Sequence, residues 1–79
     1  MADELFTRFA KTAAESLSKP VDAITMDASF ADDLDADSLD LVQMVMDLEE
    51  EFDVTVEEEE LDGVTTVSQA YDLIKSKLG

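Results

Sequence analysis

The chain contains no cysteine, no histidine and no tryptophan, and only one proline and two glycines in 79 residues. Without cysteine there is no disulfide to support a small core, and no thiolate to act as nucleophile or metal ligand. Without histidine the usual general base and the commonest metal ligand are both missing, which closes the Ser-His-Asp route to hydrolysis. Two glycines, Gly63 and Gly79, cannot build a glycine-rich phosphate loop. Positive charge is also scarce: five bases face twenty-one acids, a formal net charge of -16. The bases are Arg8, Lys11, Lys19, Lys75 and Lys77, and none lies between Pro20 and Ile74. Such a surface repels nucleic acid and anionic membranes and attracts basic protein patches. No apolar run approaches the ~20 residues of a membrane span. The N-terminus has no basic region followed by an apolar stretch, so no signal peptide is expected. The expectation is a cytoplasmic monomer with no nucleic-acid partner and no membrane insertion.

What is present is apolar sequence at helical spacing. Hydrophobic residues make up 46% of the chain, too many for a disordered acidic tail, and the length allows one small domain over residues 1–79. Leu5, Phe9, Ala13 and Leu17 recur in steps of four, broadened by Phe6 and Ala10, which predicts a first helix. Pro20 ends it, because the residue before a proline avoids helical geometry. Residues 20–36 read as a long loop, in which Val21, Ile24, Met26, Phe30 and Leu34 are irregularly spaced, with Phe30 and Leu34 expected to pin it to the core. Long loops in small domains are often functional. A second helix is predicted from Asp37, a strong N-cap with Asp40 three residues on, to about Glu51. Its apolar face is Leu39, Val42, Val45, Met46, Leu48 and Phe52. Val54 to Val56 is too short for a strand without a partner. A short helix over Glu58 to Leu61, ended by Gly63, is expected instead. The last helix begins with a capping box, Thr66 and Gln69, and its stripe is Val67, Ala70, Tyr71, Ile74 and Leu78. Lys75 and Lys77 near its end complement the helix dipole. The fold class is all-α: a small four-helix bundle with one short helix and a long loop between helices 1 and 2.

Fifteen of the acids lie between Asp32 and Asp62. The alternation Asp33, Asp35, Asp37 opens like a calcium loop of the EF-hand type, but the sixth and twelfth positions are Ser38 and Met44 rather than Gly and Glu, so the motif fails. No metal site is expected. Nor is intrinsic catalysis, since no nucleophile and base can be paired. Ser38 remains. A serine in the first turn of a helix is commonplace, yet the position offers free backbone N–H groups and the positive end of the dipole, a favourable place for a phosphodiester.

The run Asp33-Leu34-Asp35-Ala36-Asp37-Ser38-Leu39-Asp40 closely resembles the modification site of acyl carrier proteins. Val42 to Asp53 is similar to the second helix of that family, Ala28-Ser29-Phe30 to its loop, and Thr65-Thr66-Val67 with Ala70 to the start of its last helix. The resemblance covers essentially the whole chain. It implies that Ser38 receives 4'-phosphopantetheine from a holo-acyl-carrier synthase, whose thiol supplies what the chain lacks, and that growing acyl chains ride on it as thioesters in type II fatty acid synthesis. A carrier for a polyketide or other acyl or aminoacyl transfer pathway is the alternative, and an acidic interaction module without a prosthetic group is a reading of another class. The resemblance also implies that basic patches on fatty acid synthesis enzymes dock on the second helix, for which Asp37, Leu39, Asp40, Val42, Met46, Asp47, Glu49 and Glu50 are the candidates. It implies a core that opens to an acyl chain, with Val42, Met46, Leu48, Val56, Val64, Ala70 and Ile74 as candidate lining. Asp35 stands where many members have glycine. Leu41 and Gln43 stand where a polar and an acidic residue are frequent.

Overall fold

The computed structural model describes residues 4–78; residues 1–3 and 79 of the single domain expected over the whole chain lie outside the described residues. Three α-helices, α1 (Glu4–Leu17), α2 (Ser38–Phe52) and α3 (Val67–Leu78), are joined by segments carrying two short 3-10 helices, η1 (Val21–Ala23) and η2 (Glu58–Gly63). No strand occurs among the described residues; an isolated bridge pairs Ser29 with Thr66. The all-α bundle with one short helix is as expected, and the short member is a 3-10 helix that runs two residues past Leu61 to Gly63.

Each helix contributes an inward stripe. Phe9, Ala10, Ala13 and Ala14 are buried on α1, with Leu5, Phe6 and Leu17 packed beside them. The small alanines let α1 approach α2 closely, and the aromatic rings of Phe6 and Phe9 meet Tyr71 of α3 edge-on, at 5.0 and 5.4 Å between centroids. On α2 the buried set is Met44, Val45, Leu48 and Phe52. Leu39 and Met46, expected on the inner face, are instead 77% and 52% exposed. At 3.6 residues per turn Leu39 lies about 180° and Met46 about 160° round the helix from Leu48, so both must face outward. Met44, absent from the expected face, is fully buried in their place. On α3, Val67, Ala70, Tyr71 and Ile74 are buried as expected, but Leu78 is 44% exposed because the helix outruns the core.

The long loop is part of the core. Ile24, Ala28, Phe30, Leu34 and Ala36 are all buried, whereas Val21 and Met26 point outward. Three backbone bonds tie it to the start of α3: Phe30 N–H to the Thr65 carbonyl at 3.0 Å, Val67 N–H to the Ala28 carbonyl at 2.9 Å and Ser68 N–H to the Met26 carbonyl at 3.3 Å.

Polar contacts fix the helix ends. Gln69 Oε1 accepts from the N–H groups of Thr65 and Thr66 at 2.6 and 3.1 Å, and the Thr66 hydroxyl accepts from Gln69 N–H, closing the predicted capping box. The Arg8 guanidinium donates to the Glu51 carboxylate and to the Glu51 carbonyl, each at 3.0 Å, and lies over the Phe52 ring. It thereby clasps α1 to the carbonyl end of α2, where a cation is favoured. Lys77 reaches from α3 to Glu60 of η2 at 2.7 Å. The Lys77 hydrogen bond, then the Glu57 N–H, hold the Glu60 carboxyl below its ordinary range. A carboxyl depressed in the folded state stabilises the fold above its unfolded pKa, and this contribution is lost as the pH falls through the depressed value.

Two helices end in left-handed residues that are not glycine: Ser18 after α1 (φ 57°) and Asp53 at the C-cap of α2 (φ 56°). Glycine is the residue that adopts this geometry without a Cβ penalty. Asp53→Gly is therefore expected to stabilise the protein by about 0.5–1 kcal/mol, read as a rise in the urea midpoint at unchanged slope. A lower midpoint would show that the Asp53 side chain contributes more than its backbone strain costs.

Candidate functional site at the start of the second helix

The chain enters α2 through a turn built on Ser29 and Asp33. Ser29 N–H donates to the Asp33 carboxylate at 2.7 Å, the Ser29 carbonyl accepts from the N–H groups of Asp33 and Leu34, and Ala36 N–H returns to the Phe30 carbonyl at 2.7 Å. Asp35 takes the left-handed conformation in this turn, with φ 55°. Aspartate tolerates that geometry better than most residues, so the turn keeps its shape where many relatives of the resembled family have glycine. Asp37 is extended and caps the helix: its carboxylate accepts from Asp40 N–H at 3.0 Å, while the Asp40 carboxylate accepts from Asp37 N–H at 3.2 Å. The Asp37 and Asp40 spacing seen in the sequence closes as a complete reciprocal box in the fold.

This box makes Ser38 the first residue of α2. Its side chain is exposed, and its hydroxyl has no hydrogen-bond partner among the described residues. The N–H groups of Ser38 and Leu39 have no carbonyl inside the helix to bond, so an anionic group on the Ser38 oxygen would meet free donors and the positive end of the dipole. A phosphodiester fits here on both counts. No cluster of acids suited to a metal ion occurs among the described residues.

Two grooves meet at Ser38 and Leu41. One, of about 160 Å³, runs between α2 and η2 and is lined by Ser38, Leu41, Val42, Glu58, Leu61 and Asp62. The other, of about 320 Å³, lies between the α2 entry and the loop, where Phe30, Ala36, Leu41 and Val64 provide the apolar wall. Of the lining expected from sequence, Val42 and Val64 border these grooves. Leu48, Ala70 and Ile74 are fully packed core beneath the surface, and Val56 is partly buried against that core. Met46 is turned to solvent and lines neither groove. Leu41 and Leu61 belong in its place; the i, i+3 step from Ser38 to Leu41 carried that signal.

The candidate docking residues divide in the same way. Leu39, Met46 and Glu50 are exposed along the outer face of α2, with Val42 half-buried at its margin. Asp37 and Asp40 are exposed but engaged in the capping box. Asp47 is half-buried and accepts from the Ser16 hydroxyl of α1 and from Gln43. Glu49 is half-buried too, its carboxylate accepting the Val56 N–H at 2.6 Å. Asp47 and Glu49 are therefore fixing the fold rather than standing free.

The geometry at Ser38 is thus an exposed, unpartnered hydroxyl at a helix N-terminus, bordered by two grooves. Residues 7–74 match the family described as the phosphopantetheine attachment site. The chain is 50% identical over 76 residues to an acyl carrier protein of Petrotoga mobilis, covering 96% of this chain and 89% of the relative. It is 42% identical over 76 residues to an acyl carrier protein of Exiguobacterium sp., covering 96% of each. The chain belongs to the acyl carrier protein family, whose members are carriers, not enzymes, and bear covalent 4'-phosphopantetheine.

The capping box gives a direct test. Asp37→Ala is expected to cost about 1 kcal/mol, as loss of an N-cap does, with hydrogen exchange rising first in residues 38–41. Asp40→Gln keeps an acceptor for the Asp37 N–H and should cost less. Equal losses in urea unfolding would show that charge at the dipole, rather than the reciprocal bonds, holds the turn.

Proposed function

We propose that the chain carries growing acyl chains as thioesters on 4'-phosphopantetheine attached to the Ser38 hydroxyl, as the carrier of type II fatty acid synthesis. The observation that carries this reading is the unpartnered Ser38 hydroxyl on the first turn of a capped helix. The arm, when bound, supplies the thiol that the cysteine-free chain lacks. The protein's own residues then do three things. Asp37 and Asp40 hold the turn so that Ser38 stays exposed. The free N–H groups of the first turn stabilise the phosphodiester charge. Leu41, Val42, Leu61 and Val64 offer apolar surface on either side to a chain folded back against the bundle.

Partner enzymes, the holo-acyl-carrier synthase among them, dock in this reading on the outer face of α2. Leu39, Val42, Met46 and Glu50 follow one another at three- and four-residue steps, so they form one stripe. Leu39 and Met46 supply apolar contact; Glu50 and the surrounding acids steer a basic patch toward it. In this reading the domain acts as a monomer in the cytoplasm, consistent with its strongly negative net charge.

Incubation with a phosphopantetheinyl transferase and coenzyme A is expected to add one phosphopantetheine to the wild type and none to Ser38→Ala, which should fold normally because the hydroxyl makes no bond. Intact mass reads the outcome. Modification of the alanine variant would overturn the assignment of Ser38. For docking, Leu39→Ala and Glu50→Lys should slow transfer from the synthase without lowering stability. The Glu50→Lys effect should fade as salt rises, since exposed charges are screened over about 8 Å at physiological ionic strength. Glu49→Lys should instead destabilise the fold, because it removes the acceptor of the Val56 N–H.

A further inference from the structure

The groove between α2 and η2 has one wall that burial does not hold. Glu58, Leu61 and Asp62 of η2 face Ser38, Leu41 and Val42 across it, yet η2 has no buried residue and only Leu61 is packed against the core. Polar contacts fix this wall. Glu49 accepts the Val56 N–H just before it. Within it, the Glu60 carboxylate accepts the Glu57 N–H at 3.0 Å. From another element, the Lys77 ammonium reaches both oxygens of that same carboxylate, at 2.7 and 2.8 Å. A single carboxylate thus couples the first turn of η2 to the last turn of α3. Its ion pair is partly shielded, with side chains 29% and 28% exposed, so salt screens it less than a fully exposed pair.

The groove holds about 160 Å³. An apolar cavity of about 150 Å³ takes benzene, which is room for about six carbons. The groove is partly open and joins the larger one at Ser38 and Leu41, so this is the length that fits between α2 and η2 as they stand. A chain seated deeper between them has to push η2 away from α2, and the Lys77–Glu60 pair resists that displacement.

We infer that Lys77 is a specificity-determining residue: by clamping η2 through Glu60, it sets the length of acyl chain that the groove beside Ser38 shelters. The inference rests on the cargo reading proposed above. It places control of the groove at the far end of α3, on a residue that touches neither Ser38 nor the groove.

The test uses the full chain in two forms. In the cargo-free protein, amide hydrogen exchange of residues 58–64 is expected to rise about fivefold in Lys77→Met and in Glu60→Gln, the size of a lost ion pair at the upper end of surface values. Amides of Phe9 to Ala14 and Met44 to Leu48 should not change, and Lys77→Arg, which keeps the charge, should exchange like the wild type. In butyryl, octanoyl and dodecanoyl forms, the stability gained over the cargo-free phosphopantetheine form should level off beyond about six carbons in the wild type and at longer chains in Lys77→Met. Unchanged exchange in residues 58–64, or an equal rise throughout the protein, overturns the clamp. A plateau at the same length in wild type and Lys77→Met overturns its role in chain length. No gain for any chain in the wild type overturns the sheltering of cargo itself, while the exchange data still decide whether the clamp exists.

Discussion

The structure depends on the join between the long loop and the start of α3. Three backbone bonds, from Phe30 N–H to Thr65, from Val67 N–H to Ala28 and from Ser68 N–H to Met26, fix the loop across the end of the bundle. Without them, the loop would have only its internal turns and side-chain packing to order it, against about 1–2 kcal/mol of backbone entropy per residue. With them, Ala28, Phe30, Leu34 and Ala36 become core residues. The capped entry to α2, the exposed serine and the apolar wall of the larger groove follow from that position. The site is a product of loop docking as much as of the helix that bears it.

Charge is the opposing constraint. Twenty-one acids on 79 residues repel one another, and self-repulsion weakens a compact state. Two of the five bases join elements: Arg8 binds α1 to the end of α2, and Lys77 binds α3 to η2. Several acids are used as acceptors for backbone N–H groups, with Asp33, Asp37, Asp40, Glu49 and Glu60 each closing a turn or a helix start. A carboxylate so employed stabilises local structure and is correspondingly less free to meet a partner. This is why the acids of α2 are unequal: Glu50 stands clear, while Asp47 and Glu49 hold the fold together.

Most of the architecture was legible in the sequence, because its signals are local. Pro20, the Asp37–Asp40 and Thr66–Gln69 pairs and the three- and four-residue apolar steps each act within a turn or two of chain. Helix boundaries, the all-α class and the place of Ser38 in the first turn of α2 follow from them. The lining of the grooves was not legible in the same way. Met46 and Leu39 are as apolar as Met44 and Leu41, and a helix as apolar as α2 offers more than one inward face on periodicity alone. Which face turns inward is decided by packing against α1, the loop and α3, through contacts remote in sequence. The engagement of Asp47 by Ser16 lies thirty-one residues away, beyond any local pattern.

The consequence is that one helix presents three surfaces at fixed angles. Met44, Val45, Leu48 and Phe52 face the core, Leu41 and Val42 border the grooves, and Leu39, Met46 and Glu50 face solvent. Ser38, the proposed attachment point, sits at the N-terminal end where all three converge. A side chain on the outer face can therefore change with little effect on stability, since it makes no core contact, whereas a change on the inner face alters both stability and the groove floor. The proposed docking surface and the proposed cargo grooves are separable in such a helix. The first consists mainly of side chains exposed to solvent, and the second of side chains set between α2, the loop and η2.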